Sequence, residues 1–147
     1  MNHSVKSVIR KVLAFTLFIV FVGCFSYLAV YKLSLLPNGY EIVSQEKEKV
    51  TIKSFNITGW EKDTIILSLS KNDLWKIEEL NYAVKRQKES LWFLFTASSF
   101  SIFILILKLR EGKKFWHAIW ESRIVFATLF PLFIVVNSLS RIHDLIS

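Results

Sequence analysis

The side chains that most often perform catalysis are few and widely separated in this chain. The three histidines are His3, His117 and His143, and Cys24 is the single cysteine. A metal site or a nucleophilic triad needs such groups to converge, and one cysteine cannot form an intrachain disulfide. We interpret each histidine as solvated or interfacial and expect neither a metal site nor a bound cofactor.

Adjacent carboxylates at Glu78 and Glu79 are the nearest approach to an acid–base pair. Neighbouring residues of a helix point about 100° apart, so these two side chains do not face each other, and solvated helix surface is the better interpretation. The sequence holds no glycine-rich phosphate loop, nucleophile elbow or His-Glu-x-x-His string. We therefore expect a protein that is not an enzyme.

Hydrophobic residues make up 52% of the 147-residue chain and concentrate in three runs without charge, at 12–31, 91–107 and 124–139. At about 1.5 Å per helical residue, the first run spans about 30 Å, the thickness of a bilayer core. Three such runs leave too little polar surface for a soluble protein of this size. The sequence predicts an α-helical multi-span membrane protein with three transmembrane helices and a small α+β insertion between the first two.

The basic residues flank these runs and predict the orientation. The chain carries 19 Lys and Arg against 12 Asp and Glu, a surplus that suits the lipid bilayer as a partner and not nucleic acid. Eight basic residues lie in the tail 1–11 and the loop 108–123, against six near the spans in the loop 32–90 and the tail 140–147. We predict a multi-pass protein of the cell membrane with a cytoplasmic N-terminus and an extracytoplasmic loop 32–90.

The string Phe-Val-Gly-Cys that ends at Cys24 resembles the lipobox of bacterial lipoproteins, in which the chain is cleaved at the cysteine and the cysteine is lipidated. The resemblance covers these four residues. The apolar run continues beyond Cys24 to Tyr31, and its length favours an uncleaved transmembrane anchor over a processed signal.

The loop 32–90 carries signals for a β-meander followed by a helix. A turn is predicted at Pro37-Asn38-Gly39, and alternating apolar residues predict strands over 40–44, 50–57 and 64–70. A bulge is expected near Lys53 and Ser54, and a turn is expected over 58–63. A helix is predicted to begin at an N-cap near Asn72 and to continue into the second span, because no Gly or Pro interrupts it.

Two further sets of residues are candidates for packing and anchoring. Small or polar side chains within the spans predict helix packing; these are Thr96, Ser98, Ser99, Ser101 and Asn137. Aromatic side chains near the ends of the spans predict interfacial anchors; these are Tyr27, Tyr31, Trp92, Trp116 and Trp120. The aromatic stretch from Phe115 to Glu121 is either a short interfacial helix or the start of the third span.

Because charge-free spans and an ordered loop accompany the missing catalytic set, we expect a non-enzymatic protein that binds another membrane component. The component is a membrane protein or a second copy of the chain, and the role is that of an accessory subunit or an immunity-type protein, by analogy of size. The alternative is a subunit of an oligomeric transporter or channel, in which the packing candidates line a polar path. The spans contain no ionisable side chain of the kind that transporters place at membrane depth.

Overall fold

The computed structural model describes residues 3–46, 48–70 and 73–147. In chain order its elements are α1 (His3–Tyr27), a π-helical turn (Leu28–Lys32), β1 (Tyr40–Gln45), β2 (Lys49–Phe55), β3 (Glu61–Ser68), α2 (Leu74–Arg110), α3 (Phe115–Ser122) and α4 (Ile124–Ile146). Helices α1, α2 and α4 are long and apolar enough to cross a membrane. A three-stranded sheet lies between α1 and α2, so the prediction of three spanning helices with a sheet insertion is confirmed to that extent.

Helix α2 lies between the other two long helices, and the main contacts of α1 and α4 are both with it. On one side, the Phe18 ring of α1 stacks on the Phe103 ring with centroids 4.1 Å apart. On another side, the hydroxyls of Ser98 and Thr128 of α4 are 3.3 Å apart. Ser98 and Phe103 are about 140° apart around α2 at about 100° per residue, so α1 and α4 occupy different faces of the same helix.

The sheet is an antiparallel meander in the order β1-β2-β3. Bulges lie between Ile42 and Ser44 and between Ser54 and Phe55, the second within one residue of the bulge that the sequence predicts. Strand β3 differs from the prediction, because it begins at Glu61 and ends at Ser68, whereas we expected a turn through residue 63.

The early start of β3 follows from the turn that precedes it. The side-chain oxygen Oδ1 of Asn56 accepts hydrogen bonds from the backbone N–H of Thr58 and of Trp60, both at 3.0 Å. Gly59 supplies the positive φ of +82° that closes the turn. Pairing therefore resumes at Glu61, which lies opposite Phe55 and whose carboxylate is 2.8 Å from the Lys53 ammonium. The strand starts early because the Asn56 side chain closes a short turn, and the alternation of apolar residues does not reveal such a turn.

One face of the sheet is covered by the first turns of α2 and the last turns of α4. The segment 140–147, for which we predicted only a tail, continues α4 as far as Ile146. We call the sheet together with residues 74–90 and 140–146 the sheet unit. Its buried core consists of Val50, Ile52, Ile77, Leu80, Ala83, Val84 and Ile142.

Two predictions about helices have clear outcomes. Helix α2 runs without a break from Leu74 to Arg110, as the absence of Gly and Pro predicted; the expected N-cap Asn72 lies outside the described residues. Helix α3 is separate from α4, because Arg123 adopts a left-handed conformation with φ of 52° between them. The stretch 115–122 is thus a short helix of its own.

Candidate functional site

Polar side chains line a cleft at the edge of the sheet unit, on α2 and between α2 and α4. Two of its hollows, of about 100 and 280 Å³, lie between α2 and α4, and a third of about 150 Å³ is lined by α2 alone; Arg86 lines all three. We call it the Arg86 cleft. Its polar lining includes Tyr82, Glu89, Ser90, Asn137, Ser138 and Arg141, and its apolar end is formed by Phe93, Pro131 and Ile134.

Arg86 is held in place by an aromatic neighbour one turn earlier on α2. Its guanidinium donates a hydrogen bond to the Tyr82 hydroxyl at 2.8 Å and lies 5.9 Å from the centroid of that ring. The nearby carboxylate of Glu89 pairs with Lys85 at 3.9 Å. Within the described part of the chain, no ion pair involves Arg86, so its charge faces the cleft without a carboxylate partner.

The α4 wall of the cleft is fixed by an ion pair to α2. Arg141 donates from Nε to Oε1 of Glu79 at 2.9 Å. Glu79 is half-buried in this interhelical ion pair, whereas its neighbour Glu78 is exposed. Asn137 and Ser138 line the hollow of about 100 Å³ beside this pair. Asn137, a predicted packing residue, is exposed and lines the cleft, whereas Ser138 is buried.

A buried glutamine sets the rotation of α2 and thereby the position of Arg86. Gln87 is fully buried; its Oε1 accepts from the Tyr40 N–H at 3.0 Å, and its Nε2 donates to the Tyr40 carbonyl at 3.2 Å. Lys88 adds a 2.6 Å ion pair with Glu41 of β1. Our sequence reasoning missed Gln87, although a signal existed: it occupies the next step of the apolar stripe Leu80, Val84.

The predicted packing candidates within the second span are divided between different surroundings. Ser98 pairs with Thr128 across the α2–α4 contact, and Ser101 is buried. Thr96 instead donates to the backbone carbonyl of Trp92, one turn earlier in its own helix, and Ser99 is half-buried. Ser98 therefore contributes to the contact between α2 and α4, whereas Thr96 bonds only within its own helix.

The predicted aromatic anchors form two groups. Tyr27 and Tyr31 stack with centroids 4.6 Å apart, and the Trp92 indole donates to the Gly23 carbonyl at 3.0 Å. Trp92 and Tyr27 line an apolar groove of about 530 Å³ between α1 and α2, together with Val20, Gly23, Cys24 and Leu28; we call it the Gly23 groove. Trp116 and Trp120 are exposed on α3, which follows the other end of α2.

Beside α3, one carboxylate collects several basic groups. Glu121 accepts a hydrogen bond from Lys113, lies 3.5 Å from the Lys108 ammonium and is 3.0 Å from Nε2 of His117. The hydrogen bond from Lys113 is the main cause that lowers the pKa of Glu121 below its ordinary value. This cluster ties the last turn of α3 to the end of α2 and to the loop between the two helices.

The described residues contain no group of three or more His, Cys, Asp or Glu side chains that could hold a metal ion. The two surfaces differ in chemistry: the Arg86 cleft combines a guanidinium with an apolar end, and the Gly23 groove is apolar with a glycine in its wall. No protein-family model, curated protein or solved structure matches this chain.

Proposed function

We propose that this chain is a non-enzymatic protein of the cell membrane that acts by binding another membrane component, as an accessory subunit or in an immunity-type role. The observation that carries the proposal is the open glycine in the wall of the Gly23 groove. A Cβ atom built on Gly23 would meet no atom within 4 Å, so the packing of the chain itself does not require glycine there.

A glycine inside a helix needs a reason, because it costs about 1 kcal/mol relative to alanine. Gly23 lies in the interior of α1 and has no positive φ that would demand it. In membranes, small residues allow the backbone of a second helix to approach closely. A transmembrane helix of a partner, packed against Gly23 and Cys24, would account for a glycine that the packing of this chain does not require.

The rest of α1 is consistent with a helix that is available for such contact. Only 11% of its most apolar window is buried inside the chain, and its main contacts are with α2. A partner helix would lie in the groove beside Trp92. Because the Trp92 indole is hydrogen-bonded to α1 within this chain, the groove exists before a partner binds.

The binding proposal is tested by copurification. We would add an affinity tag after Ser147, which is exposed, purify the chain in mild detergent and identify the copurifying proteins by mass spectrometry. The variant Gly23→Leu fills the groove, and we expect it to reduce the recovery of a stoichiometric membrane partner about tenfold or more, since each 1.4 kcal/mol of lost contact is tenfold in affinity.

Ala14→Leu is the matched control, because Ala14 is exposed on α1 and about 180° from Gly23 around the helix. It adds similar bulk on the opposite face and should leave recovery unchanged. Recovery of the wild-type chain with no membrane protein, including no second copy of itself, contradicts the proposal. So does equal recovery with both variants.

We also propose that the N-terminus is cytoplasmic and that residues 32–90 lie outside the cytoplasm. The support is the bias of eight basic residues against six near the spans. A phosphatase fused after Trp60, in the exposed β2–β3 turn, should be active, and one fused after Lys113 should be silent. The reverse pattern would overturn the orientation without affecting the binding proposal.

A further inference from the structure

We propose that the Arg86 cleft is a binding site for the phosphodiester headgroup of an anionic phospholipid. The site is distinct from the Gly23 groove, so the inference goes beyond the proposed function and does not depend on it. Three observations carry it: the charges in the cleft, the depth at which they lie and the apolar end of the cleft.

The charges suit one phosphodiester. The basic side chains of the cleft are Lys85, Arg86 and Arg141, and the acidic ones are Glu79 and Glu89, which leaves a net charge of +1. Arg86 carries that surplus, because the other four form two ion pairs. A guanidinium binds phosphate through two parallel N–H donors, and the Asn137 amide and Ser138 hydroxyl lie in the same hollow.

The depth suits the phosphate layer of a bilayer. Arg86 precedes the start of the apolar run at Leu91 by five positions, or about 7.5 Å at about 1.5 Å per helical residue. Arg141 follows the end of the third run at Leu139 by two positions, or about 3 Å. The polar layer on each side of the hydrocarbon core is about 5–7.5 Å thick. A bilayer that covers the two apolar runs would therefore place Arg86 near the outer edge of its headgroup layer and Arg141 within that layer.

The apolar end distinguishes a lipid from a soluble phosphate. The hollow of about 280 Å³ extends from Arg86 past Ser90 to Phe93, Pro131 and Ile134. These residues lie within the second and third apolar runs, where an acyl chain attached to the bound headgroup would pack. Inorganic phosphate would use the hollow at Arg86 and Arg141 alone and would leave the apolar end without a role.

The test measures lipid retention on the full-length chain by native mass spectrometry. The protein is incubated in detergent with equimolar phosphatidylglycerol and phosphatidylcholine that have identical acyl chains. We expect the wild type to retain phosphatidylglycerol preferentially. Arg86→Gln should lower that preference about tenfold, as expected for the loss of a charge-assisted contact, and Arg86→Lys should lower it less.

The matched control is Lys32→Gln, because Lys32 ends the π-helical turn beside the first apolar run and is exposed. It removes one positive charge near the same depth but outside the cleft, and retention should change less than twofold. Asn137→Ala, a small change on the α4 wall of the cleft, should also weaken retention, and its helix content measured by circular dichroism should be unchanged. This second variant tests the cleft even if Arg86→Gln fails to fold.

Several outcomes would overturn the inference. Equal losses in Arg86→Gln and Lys32→Gln would mean general attraction to positive charge, and equal retention of both lipids would mean that the headgroup charge is not recognised. Displacement of the lipid by millimolar inorganic phosphate would show that the site recognises phosphate alone. Retention of an acidic polypeptide, in place of lipid, that depends on Arg86 would assign the cleft to a protein.

Discussion

The sheet unit and the apolar runs of the three long helices are built from similar residues but are packed in different ways. In the sheet unit, Val50, Ile52 and Ile142 are completely buried. In the most apolar windows of α1, α2 and α4, by contrast, 11%, 11% and 17% of the residues are buried inside the chain. The sheet unit removes apolar surface from water, whereas the long helices leave it exposed. Such exposure suits helices that cross a membrane, because lipid solvates apolar surface as well as another protein surface would.

Helix α2 shows both regimes within one continuous element. Near its start, Leu80 and Ala83 are buried against the sheet, and the opposite face is polar. Farther along, Phe93 and Ile102 are exposed and the apolar residues surround the helix. The change from a one-sided to an all-round apolar pattern is the change expected where a helix passes from water into lipid.

The strongest contrast is expected between two equal truncations in α4. Ile142→Ala leaves a cavity in the core of the sheet unit and should lower its free energy of unfolding by about 2–5 kcal/mol. Leu129→Ala removes the same number of carbon atoms from an exposed position and should cost less than about 1 kcal/mol. Thermal unfolding in detergent, followed by tryptophan fluorescence, compares them; equal shifts would contradict the division into two regimes.

A second contrast uses two glycines. A Cβ atom at Gly39 would lie 2.7 Å from Nε2 of Gln87 and 2.8 Å from Cβ of Leu36, so Gly39→Ala should destabilise the sheet unit by about 1–3 kcal/mol through overpacking. Gly23→Ala meets open space and should be neutral or stabilising by about 1 kcal/mol or less. The same unfolding measurement checks both, and tolerance of Gly39→Ala would show that β1 is free to move away from α2.

The contribution of Gln87 is tested by removing its hydrogen-bonding groups while keeping its volume. Gln87→Leu leaves the N–H and carbonyl of Tyr40 without their side-chain partner, and we expect a loss of about 1–3 kcal/mol. Gln45→Leu is the control, because Gln45 bonds Asn81 at an exposed position and should change stability by less than about 0.5 kcal/mol. Equal losses of stability in the two variants would mean that the buried hydrogen bonds between Gln87 and Tyr40 do not fix α2 against β1.

The smallest effect is expected at Glu121, which belongs to neither compared region. Because its pKa in the folded chain is lowered, its stabilising contribution is present above the pKa of an unfolded glutamate and is lost as the pH falls through the folded value. Hydrogen-exchange protection of α3, corrected for intrinsic rates, should therefore decrease slightly as the pH falls below about 4. Glu121→Gln should already show the lower protection at neutral pH, and an unchanged pH response in that variant would assign the effect to another group.

Much of the fold was predictable, because strong periodic patterns mark it. The three apolar runs predict the long helices, and alternation within 40–70 predicts the meander and one bulge. The start of β3 at Glu61 was not predictable from alternation, since the Asn56 side chain closes the preceding turn. The continuation of α4 to Ile146 was also missed, because four polar or charged residues in its last turns resemble a solvated tail.

The candidate site was less predictable than the fold. Asn137 stood out as an amide near the end of an apolar run, but nothing in the sequence joined it to Arg86, which is 51 positions away. The union of these residues in one cleft depends on how α2 and α4 pack, and the rotation of α2 depends on the buried Gln87–Tyr40 pair.

By itself, the sequence determined which segments suit lipid and which suit water, because hydrophobicity and its period are properties of local segments. The tertiary structure alone decided that the last turns of α4 complete the core of the sheet unit, that a glutamine serves as an internal clamp and that an arginine faces a cleft without a partner carboxylate. Each of these depends on contacts between residues far apart in the chain, whose formation requires the whole fold and leaves no periodic signal in any one segment.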